Sequence, residues 1–255
     1  MRASAAGLGS AAGLGSAEPR GRPVLRGAIF DLDGTLVDSE PLYAESDAAF
    51  LSSFGIRADF LSKGEFVGIG TRAFLTVIAE RFPDSTLAAI PLEERVALKD
   101  RAYLEFSQGK LQAFPGTVAL AVELSRRGLL LAVASGSSSA VISAELEAIG
   151  AKGLFAFALS ASDVPRGKPE PDIFLEAARR LGIPPESCLV VEDSGYGIVA
   201  AKRAGMACLA LQSAAASSQA EFALADIVSP GGASAFDLPS ILPALEALGL
   251  TRLKP

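Results

Sequence analysis

From about residue 115 onward, short apolar runs alternate with helical periods of about ten residues, and this alternation constrains the fold more than any other feature. Helix periods cover residues 118–127, closed by Gly128, and 137–149, opened by serines and closed by Gly150. Another covers 172–181, where Ile173, Ala177 and Leu181 share a face ahead of Gly182, and another covers 195–204 ahead of Gly205. A last one covers 239–248. The runs at 129–134, 155–159, 188–191 and 207–211 read as strands, and 226–228 as a last edge strand. An earlier apolar run, 24–30, reads as the first strand. Strands alternating with helices give a Rossmann-like parallel sheet with helices on both faces, an α/β fold.

Residues 41–114 interrupt this pattern. Leu42, Phe50 and Phe54 sit at helical spacings, as do Phe74, Val77, Ile78 and Phe82. Gly64, Gly68 and Gly70 form a loop within the stretch, and Pro83 and Pro91 punctuate it. The stretch leaves the chain just after the first strand, at the carboxyl end where open α/β sheets bind ligands. The expected organisation is therefore a core of 24–40 and 115–255 with a helical cap, 41–114, as a lid. Residues 1–23 repeat SAAGLG at Ser4–Gly9 and Ser10–Gly15 and read as a flexible low-complexity tail. Arg2, Arg20 and Arg22 against the single acid Glu18 also fit a transit peptide, which would make the location an organelle, plastid-like, instead of the cytoplasm.

Composition removes whole classes of chemistry. The 255 residues contain no His, which excludes Ser-His-Asp triads, Cys-His pairs and His-ligated zinc. Two cysteines, Cys188 and Cys208, make neither a Cys₄ site nor a disulfide framework. A net charge of −6 without a basic run argues against a nucleic-acid partner. No apolar stretch approaches the roughly 20 residues of a membrane span. A monomer or weak dimer acting on a small molecule is expected.

Four clusters fall just after strands: Asp31/Asp33, Ser135 with Gly136, Lys168, and Glu192/Asp193. Strand ends of a parallel sheet converge, so these acids, the hydroxyl and the ammonium would meet in one crevice. Packed carboxylates repel unless a cation or a proton intervenes. An all-oxygen donor set selects a hard cation such as Mg²⁺, and Mg²⁺ with Lys and Ser suits a phosphoryl oxygen. Taken singly, each cluster has a plainer reading: Asp31-x-Asp33-Gly34 as a turn, Ser135 as a polar cap, Lys168 as a surface residue, and Glu192-Asp193 as helix capping.

Taken together, DLDGTLVD at 31–38, LAVASGSSS at 131–139, RGKPEPD at 166–172 and LVVEDSGYG at 189–197 resemble the four motifs of the haloacid dehalogenase superfamily, in the family's order. The insert resembles the small helical cap of its beta-phosphoglucomutase-like branch. The resemblance implies that Asp31 is the nucleophile and Asp33 the general acid and base. It implies that Asp31, the Asp33 carbonyl and Asp193 hold Mg²⁺ with Glu192 in support. Ser135, Gly136 and Lys168 would bind the phosphoryl group.

Asp33 argues against dehalogenation, which needs no proton for its leaving group. A phosphatase acting on a small phosphorylated metabolite is expected. One alternative is a beta-phosphoglucomutase-like sugar phosphomutase, whose basic second-phosphate residues this chain lacks where Tyr43, Thr71, Ser138 and Ser139 stand. The other is a non-catalytic binder of a phosphorylated ligand. Lys63, Phe66 and Arg72 in the cap loop are the expected contacts for the leaving group, and they fit a sugar phosphate or a phosphorylated hydroxy-acid equally.

Overall fold

The computed structural model describes residues 24–61, 66, 69–213 and 219–251. Six strands, β1 (Gly27–Phe30), β2 (Leu130–Ser135), β3 (Phe157–Ser160), β4 (Cys188–Glu192), β5 (Ala207–Gln212) and β6 (Ile227–Pro230), form one sheet. Their order is β3-β2-β1-β4-β5-β6, and every pairing is parallel. The strands are nearly continuous apolar runs because both faces are covered. Period-two alternation divides their side chains between two cores. Phe30, Leu131, Val133, Leu189, Val191, Leu209 and Leu211 face one. Ile29, Ala132, Ala134, Cys188, Val190, Cys208 and Ala210 face the other. The second face carries small residues, which lets α6 (Asp172–Leu181) and α7 (Gly195–Arg203) lie close to the sheet. On the first face pack α4 (Pro115–Arg126), α5 (Ser139–Ala148) and α9 (Leu238–Ala247). Both cysteines are buried thiols.

The expected edge strand exists and lies at the sheet edge as β6. Several boundaries shift by one to three residues, as at Pro115–Arg126 and Phe157–Ser160, and two of the shifts have identifiable reasons. The first strand starts at Gly27 instead of residue 24, since the Leu25 N–H donates to the Gly249 carbonyl and so ties the lead-in to the chain end. Helix α5 starts at Ser139 instead of 137, since the Ser138 hydroxyl caps it by accepting from Val141 N–H and the Ser137 carbonyl accepts from the Ser160 hydroxyl. The four-residue helix α8 (Gln219–Phe222) has no signal in the sequence pattern.

Between β1 and α4 lie α1 (Glu40–Ser53), α2 (Thr71–Arg81) and α3 (Leu92–Ser107). Phe50, Leu51, Ile56, Phe74, Leu75, Ile78 and Leu87 form a hydrophobic cluster of their own there. The two connections to the core run side by side. Val37 bridges Ala113 antiparallel, Asp38 N–H donates to the Gln112 carbonyl, and Phe114 N–H donates to the Leu36 carbonyl. Among the described residues no helix is long and apolar enough to cross a membrane.

Candidate active site

Strand order reverses on either side of β1, so the crevice beyond the carboxyl ends of β1 and β4 is a topological switch point. Asp31 stands one residue past β1 and Asp193 one past β4, while Glu192 ends β4. The Asp31 N–H donates to the Val191 carbonyl, which fixes the two strand ends against each other. Lys168 Nζ joins them: it donates to Asp31 Oδ1 and Glu192 Oε1, each at 2.5 Å, and to the Ala134 carbonyl at 3.1 Å. Burial alone would lower the Lys168 pKa, but Asp31 and Glu192 outweigh burial and push it up. Burial, with Glu192 and Asp33 nearby, drives the Asp31 carboxyl well above the usual range despite Lys168. Burial, with Glu192, Asp31 and Glu40 nearby, does so for Asp193. The crevice holds more carboxylate than one ammonium neutralises.

Asp31, Glu192 and Asp193 each offer an oxygen within 4.8 Å of the others. Their environments differ. Glu192 is fully buried, and its Oε2 accepts from Asp193 N–H, Ser194 N–H and the Ser194 hydroxyl at the start of α7. With Oε1 on Lys168, both its oxygens are engaged, so it supports the cluster from behind. Asp31 and Asp193 are left facing the crevice, Asp193 oriented by the Thr35 hydroxyl at 3.1 Å. Two glycines make room. Gly34 has φ +75, and a Cβ there would lie 2.2 Å from Asp193 Oδ2; at Gly197 it would overlap the Glu192 carboxylate at 1.8 Å. The oxygen-only donor set and its uncompensated charge fit a hard divalent cation.

Asp33 is held by three hydroxyls. Ser39 donates to its Oδ1 at 2.7 Å, and Ser137 and Ser135 donate to Oδ2 at 2.8 and 3.2 Å. Ser135 is fully buried and also accepts from Ser137 N–H, so its hydroxyl serves Asp33; Gly136 and Ser137 line the crevice in its place. Ser137 was not among the sequence candidates. Its signal was only its place two residues past a strand end.

A cavity of about 470 Å³ opens over these groups. Asp31, Asp33, Gly136, Ser137, Lys168 and Asp193 line its floor, and the helical insert roofs it with Tyr43, Phe66, Phe74, Asp47 and Lys99. Phe66 thus lines the cavity, and Lys63 lies outside the described residues. Arg72 is not brought to this cavity. Its guanidinium forms two 2.7 Å bonds with Glu93 and lines a second cavity, which shares Ile69, Gly70, Gly136 and Lys168 with the first. The register of the cap loop explains the difference: α2 begins at Thr71, and Arg72 falls on the face turned toward Glu93 of α3.

Insert and core also meet at two tyrosines. The Tyr43 hydroxyl pairs with the Ser137 hydroxyl at 2.9 Å, and so reaches Asp33 through it. The ring of Tyr103 stacks on Tyr43 at 3.9 Å, and its hydroxyl donates to buried Glu145 of α5. Burial beside Asp33 raises Glu145 to about 10, so the folded chain keeps a proton there that the unfolded chain loses above about pH 4.3. Between those values stability falls as pH rises, by up to about 1.4 kcal/mol per pH unit. Glu145→Gln keeps an acceptor for Tyr103 and removes that slope. In urea unfolding it is expected to gain on wild type at pH 8 relative to pH 5; an equal difference at both values would contradict a protonated Glu145.

The haloacid dehalogenase-like hydrolase family matches residues 25–205. The chain belongs to this family. Among relatives of the hydrolase, hexitol phosphatase B of Escherichia coli (strain K12) is 30% identical over 203 residues, covering 78% of this chain and 89% of that one. Fructose-1-phosphate phosphatase YqaB of the same organism is 32% identical over 181 residues, covering 71% and 93%. The crystal structure of CbbY from Rhodobacter sphaeroides in complex with phosphate superimposes with a TM-score of 0.72 at 26% identity, covering 83% of this chain and 96% of that one.

Proposed function

We propose that this hydrolase is a Mg²⁺-dependent phosphatase that cleaves a small phosphorylated metabolite through an aspartyl phosphate on Asp31. The observation that carries the reading is the pair of carboxylates two residues apart in one cavity, with opposite settings. Asp31 faces the crevice against Lys168, as a nucleophile should, and Asp33 sits among hydroxyls, which donate to its carboxylate and can turn to accept from its acid form, so the cradle serves both protonation states.

In this reading an Asp31 oxygen attacks phosphorus and the ester P–O bond breaks. Asp33 donates its proton to the departing alkoxide, then as carboxylate takes one from the attacking water. That water's oxygen bonds to phosphorus, the Asp31–phosphorus bond breaks, and phosphate leaves. Lys168, with the Gly136 backbone that lines the crevice, steadies the phosphoryl oxygens. The Asp31 and Asp193 carboxylates and the Asp33 carbonyl would hold Mg²⁺, which when bound offsets the clustered charge and draws electron density from a phosphoryl oxygen. The insert, 41–114, acts as a cap that turns on the paired segments at Val37–Asp38 and Gln112–Phe114 and limits water to the attacking molecule. A mutase would need a cationic seat for a second phosphate, and the nearest Arg of the cap loop, Arg72, is paired with Glu93 outside the cavity.

The test is phosphate release from a panel of small phosphate esters, with and without Mg²⁺. Free phosphate from several esters supports the reading. Isomerised sugar phosphate without free phosphate would establish the mutase, and no reaction with any ester, p-nitrophenyl phosphate included, would leave a binder. Asp33→Asn is expected to bind substrate yet slow turnover by about 10²–10⁴-fold, the usual worth of general acid–base help. Wild-type kcat on an alkyl phosphate would remove Asp33 from that role.

A further inference from the structure

The roof of the cavity carries an ion pair in an apolar setting. On α3 the stripe turned inward includes Lys99, Tyr103 and Ser107, and Lys99 is only 3% exposed. Its ammonium lies 2.7 Å from Asp47 of α1. It also sits over the rings of Tyr43 at 4.8 Å and Phe74 at 5.3 Å. Both charged groups line the cavity, together with Leu61, Phe66 and Phe74.

Among the described residues Lys99 is the one cation of this roof, and Asp47 neutralises it. Glu40 adds a further acid at the cavity's side. A leaving group bearing a carboxylate or a second phosphate would enter a low-dielectric space whose formal charge, counted over the described residues of the roof, is negative, and among those residues no cation is free to receive it. An uncharged leaving group meets a different surface. A fixed donor, Lys99, and a fixed acceptor, Asp47, stand side by side to bond hydroxyls, and aromatic and aliphatic walls cover carbon faces.

We propose that the Lys99–Asp47 pair selects monophosphate esters of uncharged, polyhydroxylated alcohols and rejects esters whose leaving group is itself anionic. This inference rests on the phosphatase reading and chooses the substrate class within it. Both residues act in specificity: their contact is with the organic part of the ester, away from phosphorus.

The experiment measures kcat/KM for phosphate release by the full chain with Mg²⁺, on glucitol 6-phosphate, phosphoglycolate, fructose 1,6-bisphosphate and p-nitrophenyl phosphate. Wild type is expected to favour the hexitol ester over phosphoglycolate and over the bisphosphate by at least about tenfold, the scale of one charge-assisted contact. Asp47→Asn leaves Lys99 uncompensated, so the phosphoglycolate-to-hexitol ratio of kcat/KM is expected to rise about tenfold or more, with the gain on phosphoglycolate lying in KM. Preference of wild type for either anionic ester overturns the proposal, as does an unmoved ratio in a variant whose circular dichroism matches wild type. Should Asp47→Asn fail to fold, the wild-type ranking decides alone. Release from p-nitrophenyl phosphate together with an anionic preference overturns only the substrate class; no release from any ester overturns the phosphatase reading and this inference with it.

Discussion

Asp31→Asn is expected to fold and to release no measurable phosphate, a loss of about 10⁴-fold or more in kcat. The amide has the shape of the carboxylate and lacks its nucleophilic oxygen. The fold does not depend on that charge, since the Asp31 backbone holds β1 to β4 through the Val191 carbonyl. Lys168 keeps Glu192 and the Ala134 carbonyl as partners. Removing one of several crowded carboxylates also relieves repulsion, so the melting temperature of the metal-free variant should equal or exceed that of wild type. Turnover within tenfold of wild type would show that Asp31 does not form the covalent intermediate. A fall of several degrees in melting temperature would mean that Asp31 stabilises the crevice instead of straining it.

Exhaustive chelation is expected to abolish phosphate release, and Mg²⁺ to restore it. The reason is electrostatic: Lys168 already bonds Asp31 and Glu192, and nothing among the described residues neutralises Asp193. Ca²⁺ should bind without restoring turnover, because its larger and looser coordination shell misplaces the groups an in-line attack needs. Binding has a readout of its own. Mg²⁺ stabilises the folded state by mass action, so it should raise the melting temperature of wild type. Asp193→Asn should lose both that rise and the activity. Full activity after chelation would contradict the metal assignment. A melting temperature insensitive to Mg²⁺ would do so independently of any substrate.

The order of elements, the parallel sheet and the four strand-end clusters were legible in the chain because their causes are local. A buried parallel strand needs a continuous apolar run, as at residues 188–191, and a helix announces its ends, as Gly182 does for α6. Whatever directly follows such a strand must sit at its carboxyl end, which is why Asp31 and Asp193 could be placed together before any coordinates, whereas Lys168 reaches them along the loop that follows β3 and the turn at Ala161–Asp163. Only the tertiary structure decided which of these groups reach the cavity. Ser135 and Ser137 are two residues apart and chemically alike. The first is sealed under Asp33 and the second faces the opening, a difference set by how α5 and β3 pack on that loop. Arg72 looked like a substrate contact until α2 and α3 came together and gave it Glu93. Lys99 and Asp47 are 52 positions apart, and Tyr103 and Glu145 are 42 apart. No local pattern pairs such residues, because the forces that join them, burial and charge at close range, act only once the insert has folded over the core. A lysine on the inward stripe of α3 was the one trace left in the sequence. Periodicity says which side of a helix is buried, and packing decides what that side meets.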